Sequence, residues 1–367
     1  MTPVNPGNER VKRRYFRYLK EARGLAATTI NQAALAIADY EKFSGADDFK
    51  SFSSKRAIAY KRYLWSKGGK RAAQLSARAT VHTKARQVQQ FFRWLADQQG
   101  YRSRISHTDL DYLNPARRDA ELSRVRLDKP APTIEQVQQT IRAMPSSTDI
   151  ALRNRALVAG ALLTGARVAA LASLKLKHVR ADRLGIDQDA RDVRTKFAKT
   201  QTTFFFPVGD DVRQLFLDYV DHLGMKLGWG KEDPLFPATA RTVGQDHQFG
   251  WCGLSRDHWQ TADPIREIFR RAFAKAGIPY FTPHTIRNCL TNWGQQVCRT
   301  PEEMKAWSQN LGHDEVLTTL TSYGRVPLQR QAELLRRPGE RQEPERVEAD
   351  LDRLLREVLA ARSSPGS

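Results

Sequence analysis

The chain has 367 residues, and 60 Lys and Arg against 40 Asp and Glu give it a formal charge of +20. Such an excess repels itself in a compact fold unless a polyanion takes up part of it, so nucleic acid leads as a partner, with a plain solvated basic surface as the alternative. The length suits two domains, no stretch approaches the ~20 uninterrupted apolar residues of a membrane-spanning helix, and a membrane partner is not expected. The opening residues MTPVNPGNERVKRR lack an apolar signal core, and Cys252, Cys289 and Cys298 form no CxxC and leave one over. A reducing cytoplasm without a disulfide framework is the expectation.

In the first hundred residues apolar side chains recur at helical spacing: Val11, Tyr15, Tyr18 with Leu19, and Ala22; then Ile30, Ala34, Ile37 and Tyr40; then Val81, Ala85, Val88, Phe91 with Phe92, and Leu95. Three or four packed helices follow from that pattern. On the last of them Thr80, Thr83, Lys84 and Gln87 lie off the apolar stripe and offer a cation, hydroxyls and an amide able to read base edges. They are the candidate DNA-binding residues, beside the simpler possibility of a solvated face.

The segment NPARRDAELSRVRLDKPAP, residues 114–132, has three prolines, many charges and no apolar period, which marks a linker over 115–132 between a helical domain at 8–114 and a second domain at 133–336. Thr133 with Gln136 predicts a capping box, and Ile134, Val137 and Ile141 give that helix its apolar side. Another helix runs through LRNRALVAGALL, breaks at Thr164-Gly165 and resumes at Arg167. The Thr-, Phe- and Val-rich stretch from Asp192 to Val208 predicts a β-hairpin or the edge of a small sheet. Further helices are expected over Pro264–Ala276, Pro283–Val297 and Glu302–Gln309, and the Gly-rich surroundings of Cys252 are expected to be loop. In the charged tail at 337–367, Val347, Leu351, Leu354, Leu355, Val358 and Leu359 mark one amphipathic helix that must bury against its own domain or a neighbouring subunit. The fold class expected is mainly α with a small β-sheet in the second domain.

Four pieces of the second domain stand together: TGARVAAL with Arg167, KTQTTFFFP with Lys199, PHTIR with His284 and Arg287, and LGHDEVLTTLTSY with His313 and Tyr323. In order and spacing they resemble the Arg, Lys, His-x-x-Arg, His and Tyr pattern of the tyrosine recombinases, the phage integrase family. That resemblance implies a helical core-binding (SAM-like) domain joined to an α/β catalytic domain, and a site-specific recombinase or integrase that cuts and rejoins DNA through a 3'-phosphotyrosyl bond. It implies Tyr323 as nucleophile and Lys199 as the donor to the leaving 5' oxygen. Double-stranded DNA, a homotetramer on DNA, room for accessory DNA-bending factors and a bacterial or phage-type, nucleoid-associated setting come with it.

The residue types suit that chemistry independently. A phosphodiester under attack gathers charge on its non-bridging oxygens, and Arg167 and Arg287 are natural bidentate donors to them. Thr282 is positioned to cap a helix with Pro283 in its first turn, so His284 and Arg287 are expected to project from one face near the positive helix end. A tyrosine with a pKa near 10 costs about 4 kcal/mol to ionise at neutral pH, and His284 is the first candidate to take its proton, with His313 placed to bond a phosphate oxygen. The sequence has no Walker loop and no acidic cluster for paired Mg²⁺ ions, so neither cofactor nor metal is expected. His247, Cys252 and His258 lack a fourth ligand at zinc-finger spacing.

Departures from the family pattern are specific. Tyr323 lies one residue further from His313 than is usual, Ser322 stands at the usual site, and Ala170 stands where the family tends to carry an acid. Lys196 rivals Lys199, which is preferred for its spacing to Pro207. The alternatives are a type IB topoisomerase-like or telomere-resolving enzyme, and a catalytically decayed architectural DNA-binding protein.

Overall fold

The computed structural model describes residues 4–67, 75–115, 130–243 and 249–313, and the chain separates into two units, 1–127 and 128–367. Most of the expected linker, the tail helix and Tyr323 lie outside the described residues.

The described part of the first unit is helical: α1 (Pro6–Glu21), α2 (Ala27–Ser44), α3 (Ser54–Lys67), α4 (Leu75–Ala96) and the short α5 (His107–Asp111). Asn5 starts α1 by accepting from the main-chain N–H of Gly7 and Asn8, with Pro6 at the first helical position, where its missing N–H costs nothing. The predicted stripes are buried at Val11, Tyr15 and Leu19 of α1, at Ile37 and Tyr40 of α2 and at Val81, Ala85, Val88, Phe91, Phe92 and Leu95 of α4, whereas Ala22 is exposed and α2 buries Ala33 and Ala36 in place of Ala34. α3 completes the set with Ala57, Tyr60 and Leu64 buried at i, i+3 and i+7. The centre is aromatic: Phe52 stacks on Phe92 with ring centroids 4.1 Å apart, and Tyr40 meets Phe92 and Tyr60 edge-on at 5.0 Å. Buried Asn8 fastens α1 to the turn before α3, donating to the Asp47 carbonyl at 2.9 Å and accepting from the Phe49 N–H at 3.2 Å.

In the second unit Thr133 and Gln136 form the expected capping box on α6 (Ile134–Ala143). The middle of the unit is α7 (Asp149–Thr164), buried without a break from Ala156 to Thr164 and packed by α6, α9 (Asp210–Asp221) and α11 (Pro283–Val297). A helix this apolar all round belongs inside a core. α8 (Val168–Leu171), α10 (Asp263–Lys275) and α12 (Pro301–Asn310) complete the described α-helices of this unit, and a π-helical turn at His222–Lys226 extends α9.

Antiparallel strands β1 (Val179–Arg180), β2 (Gly185–Gln188) and β3 (Gln201–Phe204) form a sheet in that order, with Ile186 opposite Thr203 and Gln188 opposite Gln201. The Thr- and Phe-rich stretch therefore supplies the sheet edge and not a hairpin of its own. Its first half, from Asp192, is tied to Lys175 and Lys177 by ion pairs of 3.2 and 2.6 Å and turns through a short 3₁₀ segment at Lys196–Ala198, so the strand partner is recruited from upstream. A second pair, β4 (Thr239–Val243) and β5 (Phe249–Leu254), replaces the loop expected around Cys252; its glycines masked the strand period. α9 also escaped the sequence reading, although Val212, Phe216 and Tyr219 supply its buried side.

α7 ends on Gly165, whose φ of 58° lies in the left-handed region. A Cβ there would come within 2.9 Å of Leu311 Cδ2 and 3.0 Å of Leu290 Cδ1, so the position needs glycine for both backbone and space. Gly165→Ala is expected to lower unfolding stability by about 2–4 kcal/mol, read as a reduced urea midpoint. In the first unit Phe92→Ala is expected to cost about 3–5 kcal/mol in the same measurement, because its fully buried ring packs against Tyr40, Phe49, Phe52 and Phe91.

Candidate active site

Gly165 connects directly to the sequence-predicted residues. Arg287, one turn into α11 and 2 % exposed, donates from Nη1 to the Gly165 carbonyl at 2.5 Å and from Nη2 to the Leu311 carbonyl. Those carbonyls cap the C-terminal ends of α7 and α12, where the helix dipoles concentrate partial negative charge. Two helix ends thus converge on one buried cation and replace part of the hydration it lost. Nη2 also lies 3.2 Å from His313 Nε2. A guanidinium stays charged and only donates, so this contact makes Nε2 the acceptor and places the ring proton of neutral His313 on Nδ1.

Arg167 follows Gly165 by two residues at the N-terminal end of α8, half-buried, and among the described residues its guanidinium has no hydrogen-bond or ion-pair partner. Ala170, one turn along, is fully buried. The position that departs from the family pattern therefore faces the core and offers no carboxylate to Arg167.

His313 is 7 % exposed and sits after a tight turn in which Gly312 has a φ of 70°. The Gln201 carboxamide occupies the space beside that glycine, with Oε1 only 2.0 Å from where a Cβ would be. Gln201 opens β3 two residues after Lys199, so the strand that follows the lysine abuts the turn that carries the histidine. Asn310 reinforces this junction by treating the edge of β3 as a strand partner would: Oδ1 accepts from the Phe204 N–H at 2.8 Å and Nδ2 donates to the Phe204 carbonyl at 2.9 Å. Lys199 itself is half-buried at the mouth of β3, following Ala198 at a left-handed φ of 51°, whereas Lys196 is exposed on the 3₁₀ turn.

α11 begins as expected, with Thr282 in the N-cap position and Pro283 first in the helix. The Thr282 side chain nevertheless makes no capping hydrogen bond; the Thr285 hydroxyl donates to the Thr282 carbonyl instead, at 2.6 Å. His284 is exposed in the first turn while Arg287 is buried one turn deeper, so the two differ in depth and do not present equal donors on one open face. Cys289 offers no alternative nucleophile, since burial pushes its thiol up to about 12.

The structure thus joins the Arg167 turn, Arg287, His313 and the start of β3 through named contacts. His284 is placed at the exposed end of α11, and Tyr323 lies outside the described residues. Gln201 and Asn310 were missed by sequence reasoning; a polar residue opening the predicted strand and an amide ending the helix before LGH were the signals available. In the first unit Thr80 and Thr83 are exposed and Lys84 and Gln87 half-buried along one side of α4.

The model of the phage integrase family matches residues 133–329, more than half of the chain. No curated protein matches. Among solved structures, the chain is similar to a lambda integrase dimer bound to a COC' core site, at 15% identity and a TM-score of 0.59 over 92% of this chain and 80% of that one. It is similar to the XerH site-specific recombinase bound to palindromic difH substrate, at 16% identity and a TM-score of 0.57 over 89% and 85%. It is also similar to the Tn1549 transposon integrase in complex with circular intermediate DNA, at 14% identity and a TM-score of 0.52 over 90% and 99%. These likenesses agree on the fold, and the family match runs through the predicted tyrosine: the chain belongs to the phage integrase family, the tyrosine recombinases.

Proposed function

We propose that the chain is a site-specific DNA recombinase whose second unit cleaves a DNA strand with Tyr323 and rejoins it without loss of bond energy. The observation that carries this is the Arg287 junction, which gathers Gly165 with its neighbour Arg167, the His313 turn and, through Gln201, the strand beginning beside Lys199.

In the first step the Tyr323 oxygen attacks phosphorus and gives its proton to His284, while Arg167, Arg287 and the Nδ1–H of His313 stabilise charge on the non-bridging oxygens. The P–O5' bond breaks, Lys199 protonates the departing 5' oxygen, and a 3'-phosphotyrosyl bond remains. Attack by a 5'-hydroxyl from a second strand reverses each transfer and releases the tyrosine. The protonation sites are ordinary side chains, so the chemistry asks for neither a metal nor a nucleotide. Arg287 supports this role as a fixed part of the site: its anchors hold it in place before a phosphate arrives, which removes reorganisation from the reaction itself.

The lambda integrase tetramer bound to a Holliday junction is a solved relative in fold, with a TM-score of 0.58 at 15% identity. By analogy the working form of this chain is a homotetramer on two duplexes, with the amphipathic stripe at 347–359 docking in a neighbouring subunit. No helix among the described residues is long and apolar enough to cross a membrane. A DNA substrate places the protein with the nucleoid in the cytoplasm.

On a nicked suicide duplex carrying a site selected by the full-length protein, a covalent adduct is expected on a denaturing gel, in EDTA as well as in Mg²⁺. Tyr323→Phe should give none; an adduct that persists in that variant transfers the nucleophile to another residue, Ser322 first. Removal of everything after Arg337 should leave binding to a single duplex nearly intact and abolish complexes that hold two, and unchanged synapsis would assign the tail helix to its own subunit.

A further inference from the structure

Leu35 is 69 % exposed in the middle of α2. The other large exposed apolar side chains among the described residues of this unit, Val4, Leu25 and Tyr112, lie outside helices. Leu35 instead lines an open depression of about 330 Å³ between α2 and α4, together with Gln32, Thr83, Lys84 and Gln87. Its floor is apolar and its walls are groups that recognise nucleobase edges.

The chemistry of the walls is specific. The Thr83 hydroxyl donates to the Ala79 carbonyl at 2.8 Å, which commits its proton and leaves its oxygen to accept. Gln32 and Gln87 bring amides able to donate and accept. One turn along α2 from Leu35, Asp39 is 11 % exposed and holds two cations: Lys84 from α4, which lines the depression, at 3.3 Å, and Lys67 from α3 at 2.6 Å. A single carboxylate thus gathers two lysines from different helices beside the depression, where the charge complement is a polyanion.

We propose that this depression reads the major groove of duplex DNA, with Leu35 packing on the 5-methyl group of a thymine while Lys67 and Lys84 meet the flanking phosphates. Thymine is the base that presents an apolar group in that groove, and an exposed leucine among hydrogen-bonding side chains is its counterpart. The polar walls fix the register, and the methyl contact adds discrimination that no hydroxyl or amide supplies. The inference rests on the recombinase function proposed above and extends it to a residue that sets the site sequence.

The test uses the full-length chain to select duplexes from a randomised pool, then resynthesises the selected duplex with single thymines replaced by deoxyuridine, a change that removes only the methyl group. At one or two positions the wild type should bind the deoxyuridine form about fourfold more weakly, the worth of one buried methyl. Leu35→Ala should bind both forms alike; because the side chain is exposed, its thermal melt should match that of the wild type. Lys84→Ala should weaken both forms equally and reduce the magnitude of the log–log salt slope by about 1. A wild type indifferent to the methyl, or a Leu35→Ala protein that still senses it, overturns the Leu35 contact and leaves the recombinase function standing. Failure to select any duplex overturns both.

Discussion

A guanidinium buried to 2 % exposure is a liability unless its charge is answered, and at Arg287 the answer comes from main-chain oxygens at the ends of two helices. Desolvating a cation costs several kcal/mol, and a fixed arrangement of carbonyl dipoles is what makes the cost bearable. The consequence is geometric. α7 must stop where its carbonyl can reach Arg287, which places a left-handed glycine at 165 and Arg167 directly after it. α12 must also stop there, which places Gly312 and His313 against the same group. One buried charge therefore sets the relative position of three segments far apart in the chain.

The remaining basic residue of the proposed site is fixed by a different device. β3 is a sheet edge, and its exposed main-chain groups would otherwise be open to another strand. Asn310 satisfies that edge with both ends of its amide, and Gln201 fills the notch beside Gly312. Together they attach the sheet to the end of α12, so the segment bearing Lys199 is registered to the His313 turn. On the other side, ion pairs from Lys175 and Lys177 hold Asp192, the start of the segment that leads to Lys199.

The first unit applies the same economy to a surface. Its aromatic core holds α2, α3 and α4 in a fixed arrangement, and Asp39 uses that arrangement to keep two lysines together on the outside. The polar residues of α4 noted in the sequence share their depression with α2, a neighbour that periodicity on a single helix has no means of revealing.

Legible along the chain are the helices with apolar periods apart from α9, the capping box at Thr133, the break at Gly165, the small-sheet character of the Thr- and Phe-rich stretch, and the family, through Arg167, Lys199, His284, Arg287, His313 and Tyr323 in order. These are local properties: spacing, capping and residue type act over a few residues and are written in the chain. Tertiary structure alone decided that β3 pairs with Gly185–Gln188, that residues near Cys252 form a strand, that Arg287 is buried while His284 is not, and that Gln201 and Asn310 join the sheet to the His313 turn. Strand partners and the burial of a charge depend on which distant groups arrive to satisfy them, and no spacing along one segment encodes that arrival.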